Sequence, residues 1–149
     1  MTEGPAMALP IPQHQARYLE SPPDEAVSRE ESARAGLKAF FAITDEWGLN
    51  TEQQRRLLGN PGRSRFFQLK SGKRTGVSDD ELDRLAYVIG IYAALNILYN
   101  PENCLRWLGN PSKADSLWRG QSPLTYMLDG GMAALVDVYR YLNGLRGGA

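Results

Sequence analysis

The chain has 149 residues with 17 basic and 17 acidic side chains, one cysteine and one histidine. Its length suits one compact domain or two small helical ones and excludes a large catalytic architecture, and the zero net charge leaves only charge placement to inform about partners. The lone Cys104 excludes an internal disulfide and a cysteine-built metal site, and fits a reducing compartment.

Residues 1 to 27 hold five of the nine prolines and few large apolar side chains, so the composition predicts a mobile tail that includes the only histidine, His14. The opening "MTEGPAMALPIP" lacks the basic region of an export signal, and the longest apolar run, Ala86 to Leu95, is ten residues, too short to cross a bilayer. A cytoplasmic protein without membrane association is expected.

From Ser28 onward nothing alternates with period two for long. The spacing predicts helices over about 29–47, 51–58, 61–70, 78–99, 101–108, 123–129 and 131–144, an all-α fold. A region of residues 28–99 would end in a long central helix, and residues 100–149 would form a second helical domain. Four pairs punctuate these helices: Asn60-Pro61, Asn100-Pro101, Asn110-Pro111 and Ser122-Pro123. The Asn or Ser side chain can accept a bond from an orphan amide, and proline at the first helical position forfeits none. The same dipeptides also favour plain turns, and for Asn110-Pro111 both readings stay open.

Between Arg55 and Arg74 lie seven cations, Arg55, Arg56, Arg63, Arg65, Lys70, Lys73 and Arg74, and no acid. The segment reads as helix, glycine-containing turn and "RSRFFQLKSGKR", the layout of a helix-turn-helix whose second helix enters a DNA groove. Phe66, Phe67 and Leu69 would supply its packing, with one or two of them facing the core. Arg63, Ser64, Arg65 and Gln68 would reach DNA, and Lys70, Lys73 and Arg74 would meet phosphates, with Arg55 and Arg56 on the preceding helix. A solvated basic face is the plainer alternative.

The 78–99 helix opens with Ser78 and Glu81, a capping box, and carries Leu82, Leu85, Ile89, Tyr92, Asn96 and Tyr99 at alternating spacings of three and four. Such a seam faces either the core or a second copy of the chain. Asp79, Asp80 and Glu81 suit the positive end of the helix dipole better than catalysis. Asp129, Gly130 and Gly131 form a corner before the last helix, with Gly130 in the left-handed conformation. On that helix Met132 to Leu145 spreads apolar residues over roughly 220 degrees, about twice a minimal core-facing stripe. One half can meet the core and the other, with Tyr139, Tyr141 and Arg140 at its border, has an interface composition; complete burial is the alternative. Neither a Ser-His-Asp set, a phosphate-binding glycine loop nor a histidine pair for a metal occurs, so no enzyme and no cofactor are expected.

At "WRGQSPLTYMLDGGMAALVDVYRYLNGL", Trp118 to Leu145, the chain resembles the toxin-binding domain of the Xre, MbcA and ParS antitoxins, and "WLGNP", Trp107 to Pro111, fits the same domain. "LLGNPGRSRFFQLKSGK" followed by "DELDRLAYVIGIYAAL" is similar to their Xre-like helix-turn-helix half, so the likeness covers about Ser32 to Leu145. The resemblance implies a dimeric type II antitoxin that covers the active site of a RES-domain toxin, a cytoplasmic enzyme that destroys NAD, and that binds its own promoter. It implies toxin contacts from Trp118, Ser122, Pro123, Val138, Tyr139, Arg140, Tyr141, Leu145 and Arg146. The competing reading is a dimeric helix-turn-helix regulator with a C-terminal dimerisation or effector domain.

Overall fold

The computed structural model describes residues 23–111 and 117–147. Its helices are α1 (Pro23–Glu46), α2 (Thr51–Leu57), α3 (Arg63–Ser71), α4 (Asp79–Leu98), α5 (Pro101–Gly109) and α6 (Pro123–Leu145), with a 3-10 turn at Leu117–Gly120 before α6. Among the described residues there is no strand, and the all-helical class read from the spacing holds. No single helix among them is long and apolar enough to cross a membrane. The chain divides into two compact units with the boundary between Gly90 and Ile91, inside α4.

Helix α1 starts at Pro23, earlier than the composition suggests, and proline forfeits no hydrogen bond in a first turn. Residues 23–27, expected in the mobile tail, are therefore helical; the remainder of that tail, His14 included, lies outside the described residues.

The first unit is built on Phe40, Leu57, Leu58, Phe66, Leu69, Leu82, Leu85 and Val88, all buried. Phe40, Phe41 and Phe66 form an edge-to-face chain with centroids 5.2 and 5.6 Å apart, an arrangement that locks α1 against α3. A buried polar network runs beside it. Gln54, fully buried in α2, donates to Thr44 Oγ1 at 2.8 Å and Asp45 Oδ1 at 2.7 Å, and accepts from Lys70 Nζ at 2.9 Å, so α1, α2 and α3 share one set of satisfied bonds.

In the second unit Ile91, Leu95, Cys104, Leu108, Met127, Leu135, Val138 and Leu142 make the core. Asn100 caps α5 by accepting from the Asn103 amide at 2.9 Å, and Ser122 caps α6 by accepting from Thr125 at 3.1 Å, each with proline following as expected. The Ser78–Glu81 capping box is present at 2.9 and 3.1 Å. Asn110-Pro111 follows α5, with Asn110 extended.

One expectation needs correction. Asn60-Pro61 does not open α3: Asn60 takes φ +60 and its amide donates back to Arg55 O at 2.9 Å, so the pair closes α2, and α3 starts at Arg63 behind Gly62. Asparagine is among the few residues that tolerate this left-handed position. On α4 the buried stripe runs through Leu82, Leu85, Val88, Ile91 and Leu95. The seam read from the sequence shares only Leu82 and Leu85 with it; Ile89, Tyr92 and Tyr99 are half-buried and Asn96 is exposed. Tyrosines satisfy both an apolar body and a wet hydroxyl at the margin of a stripe, and the packing partners, not the heptad count, select its centre.

Candidate functional site

The α2–α3 turn is fixed from within. Gly59 at φ +102 and Asn60 reverse the chain, and a Cβ on Gly59 would stand 3.1 Å from Arg84 Nε. Arg55 Nη1 donates to the Pro61 carbonyl at 2.8 Å and holds the turn from the other side. Helix α3 then buries Phe66 and Leu69 and presents Arg63, Ser64, Phe67 and Ser71 to solvent. Gly72, left-handed at φ +85, ends it and leads into exposed Lys73 and Arg74.

The cations of this segment divide by what they hold. Arg65 makes a bidentate pair with Glu81 at 2.5 and 2.6 Å and also donates to the Gly76 carbonyl at 3.0 Å, joining α3 to the start of α4. Burial pushes the Glu81 carboxyl up, but Arg65 and the Ser78 amide outweigh it and the net shift is downward. Lys70 serves Gln54 and lies 5.6 Å from the centre of the Phe41 ring. Arg55 bonds Glu52 at 3.0 Å as well as Pro61. Arg74 Nε donates to the Gln68 side-chain carbonyl at 2.9 Å. Arg55, Arg65 and Lys70 are therefore framework residues, while Arg56, Arg63, Ser64 and Lys73 stand on the exposed surface. The Arg63 side chain is 70% exposed and meets the carboxylate of Glu52 at 3.5 Å.

Of Phe66, Phe67 and Leu69, expected to turn one or two side chains to the core, Phe66 and Leu69 are buried and Phe67 is 51% exposed at the middle of the outer face of α3. The Gln54 network is absent from the sequence reading. A glutamine in a short polar helix carries no local sign of burial, since its partners lie nine to sixteen residues away in α1 and α3.

In the second unit Trp118 and Arg119 both adopt φ +53, followed by Gly120 at φ +78. This left-handed run costs about 1–2 kcal/mol for each non-glycine residue and persists because Trp118 is locked in an aromatic cluster. Its ring lies 5.3 Å from Tyr141 edge-on, 5.2 Å from Tyr126 and 6.4 Å from Trp107, while Trp107 and Tyr141 are stacked at 6.3 Å. The cluster borders a cavity of about 370 Å³ lined also by Tyr99, Asn103, Arg106 and Pro123.

Of the residues expected to meet a toxin, Trp118, Ser122, Pro123 and Val138 are buried, the last completely, and so hold the domain together. Tyr139, Tyr141 and Arg146 are half-buried, with Arg146 Nη1 donating to Asn143 at 3.1 Å, and Arg140 and Leu145 are exposed. The apolar residues of α6 divide into two groups by burial. Ala134, Leu135, Val138 and Leu142 face the core, and half-buried Met132, Val136 and Tyr139 form a second stripe. At the corner the roles of the glycines exchange. Gly131, at φ +67 and ψ −151, carries the conformation only glycine adopts, whereas Gly130 supplies space, since a Cβ there would stand 2.6 Å from that of Ala134. Asp129 accepts from Gln121 at 3.1 Å.

An all-helical chain whose second and third helices form a turn-linked pair, with Arg63 exposed at the start of the third and Lys73 and Arg74 exposed just beyond its end, is a helix-turn-helix protein of the DNA-binding class. Residues 26–90 match the family model of the antitoxin Xre-like helix-turn-helix domain, which ends where the first compact unit ends. The uncharacterized protein y4oB of Sinorhizobium fredii (strain NGR234) is 39% identical over 121 residues, covering 79% of this chain and 91% of that protein. The chain belongs to the same family as y4oB and carries an antitoxin Xre-like helix-turn-helix domain, which supports a DNA-binding antitoxin or regulator.

Proposed function

We propose that this protein is a type II antitoxin of the RES-Xre kind, which neutralises a NAD-degrading RES-domain toxin in the cytoplasm by covering its active site and represses its own promoter as a homodimer. The observation that carries the toxin-binding half is the second face of α6. A helix that already buries Ala134, Leu135, Val138 and Leu142 keeps a further stripe of Met132, Val136 and Tyr139 only half-covered, bordered by exposed Arg140, and ends on exposed Leu145. That composition of apolar, aromatic and arginine side chains suits a protein partner. The resemblance of Trp118 to Leu145 to toxin-binding domains supports the same reading. The proposed division of labour gives residues 28–99 to DNA and residues 100–149 to the toxin, and the half-buried Ile89 and Tyr92 of α4, with Tyr99 just after it, are the proposed self-association stripe. The chain acts by occlusion, with no cofactor.

The test is coexpression with the product of the adjacent gene. Substitutions are preferable to removing residues 131–149, because that deletion would take Leu135, Val138 and Leu142 out of the core. An Arg140→Glu, Leu145→Asp double variant should remain folded and lose protection of the host. Retained protection by that variant, or a neighbour that consumes no NAD, defeats the proposal.

A second reading is favoured by one observation. The aromatic cavity of about 370 Å³ beside Trp107, Trp118 and Tyr141 has the size of a small-molecule site, as an effector-controlled regulator would need. It predicts promoter binding that responds to a ligand and an adjacent gene unconnected with NAD.

A further inference from the structure

Three of the seven cations in the basic segment are held inside the first unit: Arg55 by Pro61 and Glu52, Arg65 by Glu81, and Lys70 by Gln54. What α3 offers outward is a short face of Arg63 and Ser64 in its first turn and Phe67 one turn on, spaced three and four residues apart and so stacked on one side. Among the described residues of this unit, Phe67 is the only large hydrophobic side chain standing exposed, and its ring is oriented edge-to-face against buried Phe66 at 5.3 Å. Arg74 already donates to the carbonyl of Gln68, which leaves Gln68 poorly placed for the bidentate pair that adenine requires.

We infer that Phe67 is a specificity residue that reads thymine, its ring seated on the C5-methyl group in the major groove. The inference rests on the DNA-binding reading of α3. A phenyl ring has no hydrogen-bonding group, so among base edges in the major groove it discriminates only by apolar contact, and the thymine methyl is the one apolar feature displayed there. Arg63 and Ser64 supply the polar contacts around it, to guanine and to phosphate or either base edge respectively, and Lys73 beyond Gly72 neutralises a phosphate. An exposed phenylalanine between an arginine and a lysine thus gains a function that a solvated helix face does not require.

Fluorescence anisotropy with the full chain tests this, using short duplexes that tile the DNA upstream of its own gene. Each duplex is made once with thymine and once with deoxyuridine, which removes only the methyl groups. The expected result is a tightest duplex whose uracil form binds roughly fourfold more weakly for each methyl that the ring covers. Phe67→Ala should bind the two forms alike, whereas Lys73→Ala should weaken both equally and keep their ratio. Equal binding of thymine and uracil forms by the wild type, or a discrimination that survives in Phe67→Ala, overturns the assignment while DNA binding stands. Absence of binding to every duplex overturns DNA binding and the assignment together. Because Phe67 is half exposed, loss of fold in Phe67→Ala is not expected, and an unchanged thermal melt confirms that the comparison is valid.

Discussion

Adjacent residues of the same type do different work in this chain. Gly130 and Gly131 separate cleanly: alanine at 131 would be forced into a backbone region that costs about 1–3 kcal/mol, and alanine at 130 would press on Ala134. Both variants should lower the melting temperature by several degrees, and only Gly130→Ala should be partly rescued by Ala134→Gly. Arg63 and Arg65 separate in the same way. Arg65→Ala strips a bidentate partner from a mostly buried carboxylate and should cost about 2 kcal/mol of stability in a denaturant titration, whereas Arg63→Ala should leave the midpoint unchanged and weaken DNA binding. Asp83 adds a pH signature. Burial, with Asp79 and Asp80 adding to it and Arg29 opposing, raises its pKa from 3.8 to about 6, so the folded chain holds this proton more tightly than the unfolded one. Stability from this group therefore grows as pH falls from 7 through 6 towards the ordinary carboxylate range. Glu81, lowered by Arg65, acts in the opposite sense and withdraws its contribution at more acidic pH. Thermal melts should show an optimum on the acid side of neutrality, and Asp83→Asn should flatten the rise between pH 7 and 5 while leaving the acid limb intact.

At the level of helices, what was local was legible. The Ser78, Asn100 and Ser122 caps place their bonds within three residues, so spacing alone reveals them, and the helix limits fall close to those expected. Asn60-Pro61 has the same letters as Asn100-Pro101 but follows Leu58-Gly59, and whether such a pair closes one helix or opens the next depends on where the chain must turn. Burial was less legible. The α4 stripe, the exposure of Phe67 and the tethering of Arg65 by Glu81, sixteen residues away, are set by neighbours distant in sequence. The Gln54 network is the clearest case. Its loss in Gln54→Ala should cost about 1–3 kcal/mol, because Thr44, Lys70 and Asp45 lose a buried partner, and should loosen α3 enough to reduce DNA affinity along with stability. A variant with lowered stability and unchanged affinity would separate the network from the positioning of α3.

The whole molecule joins an Xre-like helix-turn-helix unit, ending at Gly90, to a second helical unit that carries the aromatic cluster and α6. With seven of its 17 cations confined to residues 55–74, an otherwise acidic chain has one region suited to DNA. Affinity should fall steeply with salt, and Lys73→Ala should reduce that slope by about one unit if it meets a single phosphate. The proposed antitoxin role makes the sharper demand, since it assigns the outer border of α6 to a partner enzyme. The most direct measurement is the cellular NAD level when the adjacent gene product is expressed with this protein or with its Arg140→Glu, Leu145→Asp variant. The account predicts that NAD is preserved by the wild type and collapses with the folded variant; NAD preserved by both, or never consumed by the neighbour alone, would contradict it.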